Sequence, residues 1–371
     1  METDPDPAWK PGAPVIVVGA GQSGLAAARA LRSHEVPTLV LEAGDRATGS
    51  WPCYYDSLRV FSPAAFSSMP DLPFPGEPDR YPDRDEVADY LERYESKLDV
   101  EIQLRSRVET VRQDARGFIV TACDGRSFPA SGIVAASGSF SNPYRPAFPG
   151  EETFTGELLH VADYRTPAPY VGRRVVVVGA GDSAAQVATE LAPLASVTIA
   201  TRRPVRFMPQ RLQGEDVHHW LRETGFDTLP PAWLDRITDG AVITDSVGFA
   251  DALAEGLLDR RPIFVALDRD GVVWSDGQRE PVDAIILATG YRPSLDYLRG
   301  LGALDGDGMP IHVGGISVTH LGLVYVGLEL QRTYASNTLR GVADDAEAVI
   351  APLVAWVRDA PALVGYTAEG G

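Results

Sequence analysis

Two stretches of the chain repeat one pattern: a short β-branched run, a glycine turn, an alanine-rich segment and a second apolar run. The first copy has an apolar run at 15–18, the turn Gly19-Ala20-Gly21-Gln22-Ser23-Gly24, a helical segment at 25–32 and a strand-like run at 38–42. The second has a run at 175–178, the turn Gly179-Ala180-Gly181-Asp182-Ser183-Ala184, a helical segment at 185–194 and a run at 197–201. Their first glycines lie 160 positions apart. Four consecutive apolar residues predict a strand buried on both faces, as in a parallel sheet. A Gly-x-Gly-x-x-Gly turn between such a strand and a helix predicts a dinucleotide-binding unit. The pattern therefore specifies an α/β fold with two Rossmann-like dinucleotide-binding domains, and 371 residues suffice for two cores.

The two turns are succeeded by strands with different endings. In the first, Gly19 permits the tight turn, Gly21 lets backbone approach a pyrophosphate, and Gly24 allows close helix–strand packing. Gln22 and Ser23 open the helix, whose N–H groups and partial positive charge attract phosphate. Glu42 ends the next strand, 23 positions after Gly19, where a carboxylate accepts both ribose hydroxyls of an adenosine. In the second, Gly179, Gly181, Ser183 and Ala184 hold the equivalent places, but Thr201-Arg202-Arg203 replaces the acid. Two guanidinium groups favour a 2′-phosphate, hence NADPH over NADH, with Arg202 expected to matter more. Asp182 is unusual so near a pyrophosphate, and a capping role at the helix N-terminus is one reading of it.

Other segments read more coarsely. Residues 44–76 form a long loop rich in Ser, Pro and aromatics, of the kind that covers ligands. Residues 84–97 have helical period, with Asp85 as a candidate cap. Residues 108–124 alternate like a hairpin with Asp124-Gly125 as its turn. A buried strand at 132–136 ends at Ser137-Gly138, and another at 284–288 ends at Thr289-Gly290. A hairpin is expected at 263–274, a strand at 323–326 and a helix at 337–357. Residues 204–261 are a large insertion, a candidate dimer contact, so monomer and homodimer both remain open.

The net charge of −18, from 33 basic and 51 acidic residues, disfavours nucleic acid and anionic membranes as partners. The two cysteines, Cys53 and Cys123, form no C-x-x-C, which removes the centre of a dithiol relay. Cys53 is expected to be a buried, inert thiol. Residues 1–14 are acidic and Pro-rich, without the apolar run of a signal peptide. No apolar stretch approaches the ~20 residues of a membrane span, so the cytoplasm is the expected location. His218-His219 beside Glu215 and Asp216 invites a metal reading. Neighbours on a helix point about 100° apart and no third ligand is suitably spaced, so no metal site is expected.

Between the two glycine turns lies Phe154-Thr155-Gly156-Glu157-Leu158-Leu159-His160-Val161-Ala162-Asp163-Tyr164. This F-x-G-x-x-x-H-x-x-x-Y stretch resembles the fingerprint of flavin-containing and Baeyer–Villiger monooxygenases, in the same place between the nucleotide motifs. His160 is read as a domain-connecting residue and not as a proton-transfer group. Gly49-Ser50-Trp51 resembles that family's second FAD contact, and Thr289-Gly290-Tyr291-Arg292-Pro293 the segment that returns to FAD. Residues 51–76 and the run from Gln331-Arg332-Thr333 to Arg340-Gly341 resemble a bacterial subgroup of small flavoprotein monooxygenases. Its members are often described as metal-efflux- or arsenic-associated oxidoreductases.

The resemblance implies a glutathione-reductase-like architecture. Residues 1–165 and 285–371 would bind FAD, and 166–284 would be an inserted NADPH domain. Ser50, Trp51, Val108 and Gly138 join the glycine turn and Glu42 as expected FAD contacts. Asn337, Thr338 and Leu339 would open a helix whose positive end faces the flavin pyrimidine. The family's flavin-side Asn is missing: Val60, Phe61 and Ser62 stand there, so its hydrogen bond to the flavin adduct must come from the Ser62 hydroxyl, the candidate catalytic group, from backbone, or not at all. The implied activity is an NADPH-dependent monooxygenase. Hydride passes to flavin N5, O2 forms a C4a-hydroperoxyflavin, and oxygen goes to a small soft nucleophile (N, S or As) or a ketone. The alternative is an NADPH oxidase or reductase, or an FAD-binding redox sensor.

Overall fold

The computed structural model describes residues 12–114, 117–203, 205–237 and 242–363. It contains two separate, mainly parallel sheets, each centred on one of the repeated strands. In the first, Val15–Val18 lies between Thr38–Leu41 and Gly132–Ala135, parallel to both. Glu101–Gln103 extends one side and Leu323–Tyr325 the other, again in parallel. Two short antiparallel strands, Ile316–Ser317 and His312–Val313, finish the edge. In the second, Arg174–Val178 lies between Ser196–Thr201 and Ala284–Leu287, with Leu258–Pro262 and Glu157–His160 outside them, all parallel.

The apolar runs follow from burial on both faces. Val15 and Val17 point into one core with the Ala/Leu face of helix Gln22–Ser33, whereas Ile16 and Val18 point into another. Val175 and Val177 are likewise divided from Val176 and Val178. A strand with solvent on one face would have alternated with polar residues instead. The C-terminal helix Val342–Leu363 packs on helix Gln22–Ser33 through Val342, Ala346, Val349, Ile350 and Leu353, so the chain end returns to the first sheet.

Several expectations shift in detail. Helix Arg84–Glu95 is capped by Asp83 rather than Asp85: Asp83 accepts from Glu86 N–H, and Glu86 reciprocates at Asp83 N–H. Such a cap is worth about 1 kcal/mol. Asp124-Gly125 is the second turn of a three-stranded antiparallel sheet, Val108–Asp114, Gly117–Ala122 and Ser127–Ala130. Residues 115–116, between its first two strands, lie outside the described residues. The C-terminal helix begins at Val342, after turns through Asn337, Thr338 and Leu339, because Ala335 and Thr338 accept turn-type bonds first. Strands Glu157–His160 and Ala284–Leu287 belong to the second sheet, although the boundaries at 165 and 285 assigned 157–160 and 285–287 to the first domain. Cys53 and Cys123 are both exposed and free, contrary to the buried thiol expected at 53.

Candidate functional site

Both glycine turns sit at the carboxyl end of a central strand that has the next strand of the chain on one side and a much later strand on the other, the place where open α/β sheets bind ligands. Gly19 has φ +102°, and a Cβ there would stand 2.6 Å from Ala136 O. A Cβ on Gly24 would stand 1.8 Å from Gly19 O, so the helix approaches the turn too closely for any side chain. Gly21 N-caps the helix without a capping side chain, and the first turn holds no acid. That end is therefore free to receive an anion.

A second backbone segment crosses this turn. Gly49, at φ +59°, would bring a Cβ within 2.9 Å of Gly21 Cα. Trp51 Nε1 donates to Gln22 Oε1 at 2.8 Å, and Gln22 Nε2 donates to Asn337 O at 2.8 Å. Gln22 thus ties together three segments expected at the cofactor: the turn, the 49–51 loop and the approach to the last helix. Glu42 is buried, and its carboxylate accepts from Ala20 N–H at 2.6 Å and Gly44 N–H at 2.7 Å. The Glu42 carbonyl accepts from Ser106 N–H, which brings the start of strand Val108–Asp114 alongside. Gly327 was not anticipated. Its φ is +88°, and a Cβ would lie 2.0 Å from Ser23 Oγ. A glycine directly after strand Leu323–Tyr325 and its flanking Val326 was the available signal.

At the second turn Gly179, at φ +151°, lies against Ala288 O, which a Cβ would approach to 2.2 Å. Ala184 is buried. Gly181 is the N-cap here too, but Asp182 occupies the first turn and is pushed up to about 6 by burial, which outweighs the hydrogen bond from its own backbone N–H. Arg202 and Arg203 follow strand Ser196–Thr201, both exposed, and neither forms an ion pair among the described residues. Their side chains are available to a ligand.

The connector residue His160 is fully buried at the end of its strand. Its Nδ1 accepts from Ala162 N–H at 3.1 Å, which leaves Nε2 protonated to donate to Gly290 O at 3.1 Å. Gly290 carries φ +84°, and Thr289 Oγ1 donates to Tyr144 O at 2.5 Å. Gly138, at φ +67°, accepts Ser294 N–H through its carbonyl. The ring of His160 is thus an anchor between segments. Burial lowers its pKa. An unfolded histidine takes up a proton near ~6.5 that the folded one refuses. The stability it contributes is present above that pH and is lost as pH falls toward the lowered folded value. His160→Gln should flatten this acid limb in thermal melts recorded from pH 8 to 5; an unchanged limb would refute the assignment.

Ser62 is buried, and its hydroxyl lies 2.9 Å from Ser67 Oγ. The single proton of Ser67 points to the Ser62 and Pro63 carbonyls, at 3.1 and 3.0 Å. Ser62 must therefore donate to Ser67, so its proton is committed within the loop. Opposite this loop stands the 204–261 insertion. Asp216 accepts from His218 Nδ1 at 2.7 Å, His218 N–H at 2.9 Å, Gln210 Nε2 at 2.7 Å and the Tyr81 hydroxyl. Burial alone would raise its pKa; the hydrogen bonds from His218, Tyr81 and Gln210 prevail and hold it at about 2. The His218 ring stacks on Phe61 at 5.9 Å and lies 6.0 Å from Phe66. Further along, Asp227 forms a two-pronged, mostly buried ion pair with Arg340, and Phe226 meets Tyr334 edge-on. The insertion thus reaches both the 61–67 loop and the 334–340 turns. No group of three or more potential metal ligands occurs among the described residues.

The residues present fit a bound flavin dinucleotide: an uncapped helix end, glycines no Cβ can replace, and a buried acid beside the turn. Arg340 Nη1 is in addition a buried donor with no partner among the described residues.

Comparison with known proteins agrees with this reading. The pyridine nucleotide-disulphide oxidoreductase family matches residues 16–224. An uncharacterized CzcO-like oxidoreductase of Geobacillus kaustophilus is 30% identical over 341 residues, 91% of this chain and 97% of the relative. The indole-3-pyruvate monooxygenase YUCCA1 of Oryza sativa subsp. japonica is 32% identical over 330 residues, 80% of each protein. The solved flavin-containing monooxygenase of Stenotrophomonas maltophilia superposes with a TM-score of 0.83 at 32% identity, covering 93% of this chain and 98% of that one. The bacillithiol disulfide reductase of Bacillus cereus, at 23% identity and a TM-score of 0.69, shares the fold. With family, relatives and glycine-turn geometry in accord, the chain belongs to the pyridine nucleotide-disulphide oxidoreductase family, on its flavin monooxygenase side, and is an FAD-dependent oxidoreductase that uses NADPH.

Proposed function

We propose that the protein is an NADPH-dependent monooxygenase that transfers one oxygen atom of O2 to a small soft nucleophile, a nitrogen, sulfur or arsenic centre, or to a ketone. In this reading FAD lies on the first sheet across Gly19–Gly24, Glu42, Ser50 and Trp51, flanked by Val108, Gly138, Thr289, Gly290 and the 337–339 turns. NADPH lies on the second, across Gly179, Gly181, Ser183 and Ala184, with its 2′-phosphate on Arg202 and Arg203. The reduced flavin supplies the oxygen activation. The chain's own residues bind, orient and exclude water. The NADPH requirement makes the cytoplasm the proposed working compartment.

The observation that carries this proposal is the closing of the flavin side by the insertion. Gln210, which donates to Phe61 O at 3.2 Å, and Asp227, paired with Arg340, fasten 204–261 to both loops that border the expected ring site. A covered site is what oxygen transfer needs and simple electron leakage to O2 does not. The deciding experiment supplies the holoprotein with NADPH, ¹⁸O2 and a panel of thioethers, amines and arsenite. Label in the product at a yield comparable to NADPH consumed is expected. Recovery of all reducing equivalents as H2O2 with every compound would establish an NADPH oxidase instead.

Asp182 makes NADPH binding pH-dependent. Protonated below about 6, it tolerates phosphate; ionised above, it repels it. NADPH affinity should therefore weaken as pH rises through about 6, and Asp182→Asn should remove that dependence. Tighter binding by the Asn variant, roughly severalfold at pH 8, would appear in titrations of flavin absorbance. Parallel pH curves for both proteins would refute this role.

A further inference from the structure

His218 is the buried ionisable side chain next to the flavin-side loop that the binding scheme leaves without a task. Asp216 holds its Nδ1 at 2.7 Å and its backbone N–H at 2.9 Å, which fixes both tautomer and orientation. A carboxylate on Nδ1 makes that nitrogen the proton bearer and leaves Nε2 as the exchangeable position. Among the described residues nothing bonds Nε2. The ring lies against Phe61 and Phe66, the apolar walls flanking Ser62, whose own proton goes to Ser67. Gln210, which braces Asp216 at 2.7 Å and Phe61 O at 3.2 Å, has a buried Oε1 without a partner among the described residues. An orphan acceptor and a free imidazole nitrogen so disposed fit a ligand with an apolar body and a polar reacting end.

We propose that His218 is the proton-carrying group of the oxygenation site, with Asp216 as its positioning residue. The inference rests on the monooxygenase reading. The reaction consumes NADPH, one proton, O2 and a substrate lone pair, and yields NADP⁺, water and the oxygenated substrate. The O–O bond breaks, one oxygen bonds to the substrate, and the other leaves as water. His218 Nε2 first takes the consumed proton from solvent, giving an imidazolium held by Asp216; it then gives that proton to the departing oxygen and returns to the Nδ1–H tautomer. The charged and titratable groups around the ring are Asp216 on its own segment, Tyr81 from the loop before helix Arg84–Glu95, Arg211 beside Tyr81, and Arg222. The Arg222 guanidinium lies 4.6 Å from the centre of the Phe66 ring. Phe61 and Phe66 add no charge.

The test compares wild-type holoenzyme with His218→Gln, Asp216→Asn and, as a control, His219→Gln, whose ring turns away to meet Trp220. Two quantities are read with methyl phenyl sulfide as probe. One is the fraction of NADPH electrons recovered in sulfoxide across pH. The other is the ¹H–¹⁵N imidazole signal of His218, assigned by its loss in His218→Gln, before and after the probe is added. The proposal expects coupling to fall at least about tenfold in His218→Gln with its pH limb abolished. It also expects an intermediate loss with mixed tautomers in Asp216→Asn, wild-type behaviour in His219→Gln, and a shift of the Nε2 signal on probe binding. Wild-type coupling and pH profile in His218→Gln would overturn it. If His218→Gln loses flavin, Asp216→Asn decides by the same two readouts. If the wild type gives only H2O2, the monooxygenase reading falls by itself; an unmoved imidazole signal then overturns the site as well, and a shifted one retains His218 as its ligand contact.

Discussion

Gly24→Ala is expected to purify colourless and to melt well below the wild type. The added Cβ would stand 1.8 Å from Gly19 O, a backbone atom that no rotamer change can move aside. Relief requires the helix Gln22–Ser33 to back away from its strand, and this displaces the N–H groups proposed to bind the pyrophosphate. Overpacking of this kind costs about 3 kcal/mol. At ~2–4 °C per kcal/mol for domains of this size, the melting temperature should fall by roughly 6–12 °C. Gly125→Ala is the control. It carries φ +85° but meets nothing within 4 Å, so it should cost about 1 kcal/mol of backbone strain and keep its flavin. The flavin-to-protein absorbance ratio and thermal melts of the two variants separate the effects. A yellow, stable Gly24→Ala protein would show that the helix does not need its close approach.

The second large effect concerns the reductant. Arg202→Ala combined with Arg203→Ala should raise KM for NADPH by roughly 30–150-fold and leave NADH nearly unchanged. Charge-assisted bonds to a phosphate contribute about 2–3 kcal/mol, which corresponds to that range. Both side chains follow the strand next to the second glycine turn and are exposed in the structure, with no protein carboxylate holding them among the described residues. Truncation therefore leaves no buried charge behind, and the fold should be unaffected. Stopped-flow reduction of the flavin by each nucleotide measures the change directly. Equal losses with NADH and NADPH would place the arginines at the pyrophosphate or in a structural role instead. The single variants rank the pair, with Arg202 expected to carry the larger share.

The repeated glycine turns were legible because their constraint is local. A strand buried on both faces must be apolar throughout, and a helix pressed onto its own preceding turn must offer glycine at fixed offsets. The same holds for Glu42, which the spacing places beside the first turn and which the structure finds accepting from Ala20 and Gly44. The connecting His160 was legible as an anchor, although its partner Gly290 lies 130 positions away. Asp83 was missed as a cap because Asp83 and Asp85 are chemically equal; only the backbone conformation at the helix start separates them. The three-stranded sheet was read as one hairpin because an alternating stretch does not show how many strands it is divided into.

The composition of the site was less accessible for a physical reason. Ser62 stands where a flavin-side hydroxyl was expected, but only the folded loop directs its proton to Ser67. Asp216 and His218 looked like a failed metal site, since adjacent helix positions diverge. Their meaning depends on Tyr81, Phe61 and Phe66, more than 130 residues earlier in the chain. The ion pair of Asp227 with Arg340 joins the insertion to the chain's last quarter in the same way. By itself, then, the sequence determined the α/β class, the two nucleotide turns and the contrast of acid with arginines at the strand ends beyond them, because backbone sterics and a few residues' spacing suffice for each. Tertiary structure alone decided which insertion residues face the 61–67 loop, which hydroxyl is already committed and which imidazole nitrogen Asp216 holds. Those are properties of side chains that meet only after distant segments have packed, and no local pattern encodes them.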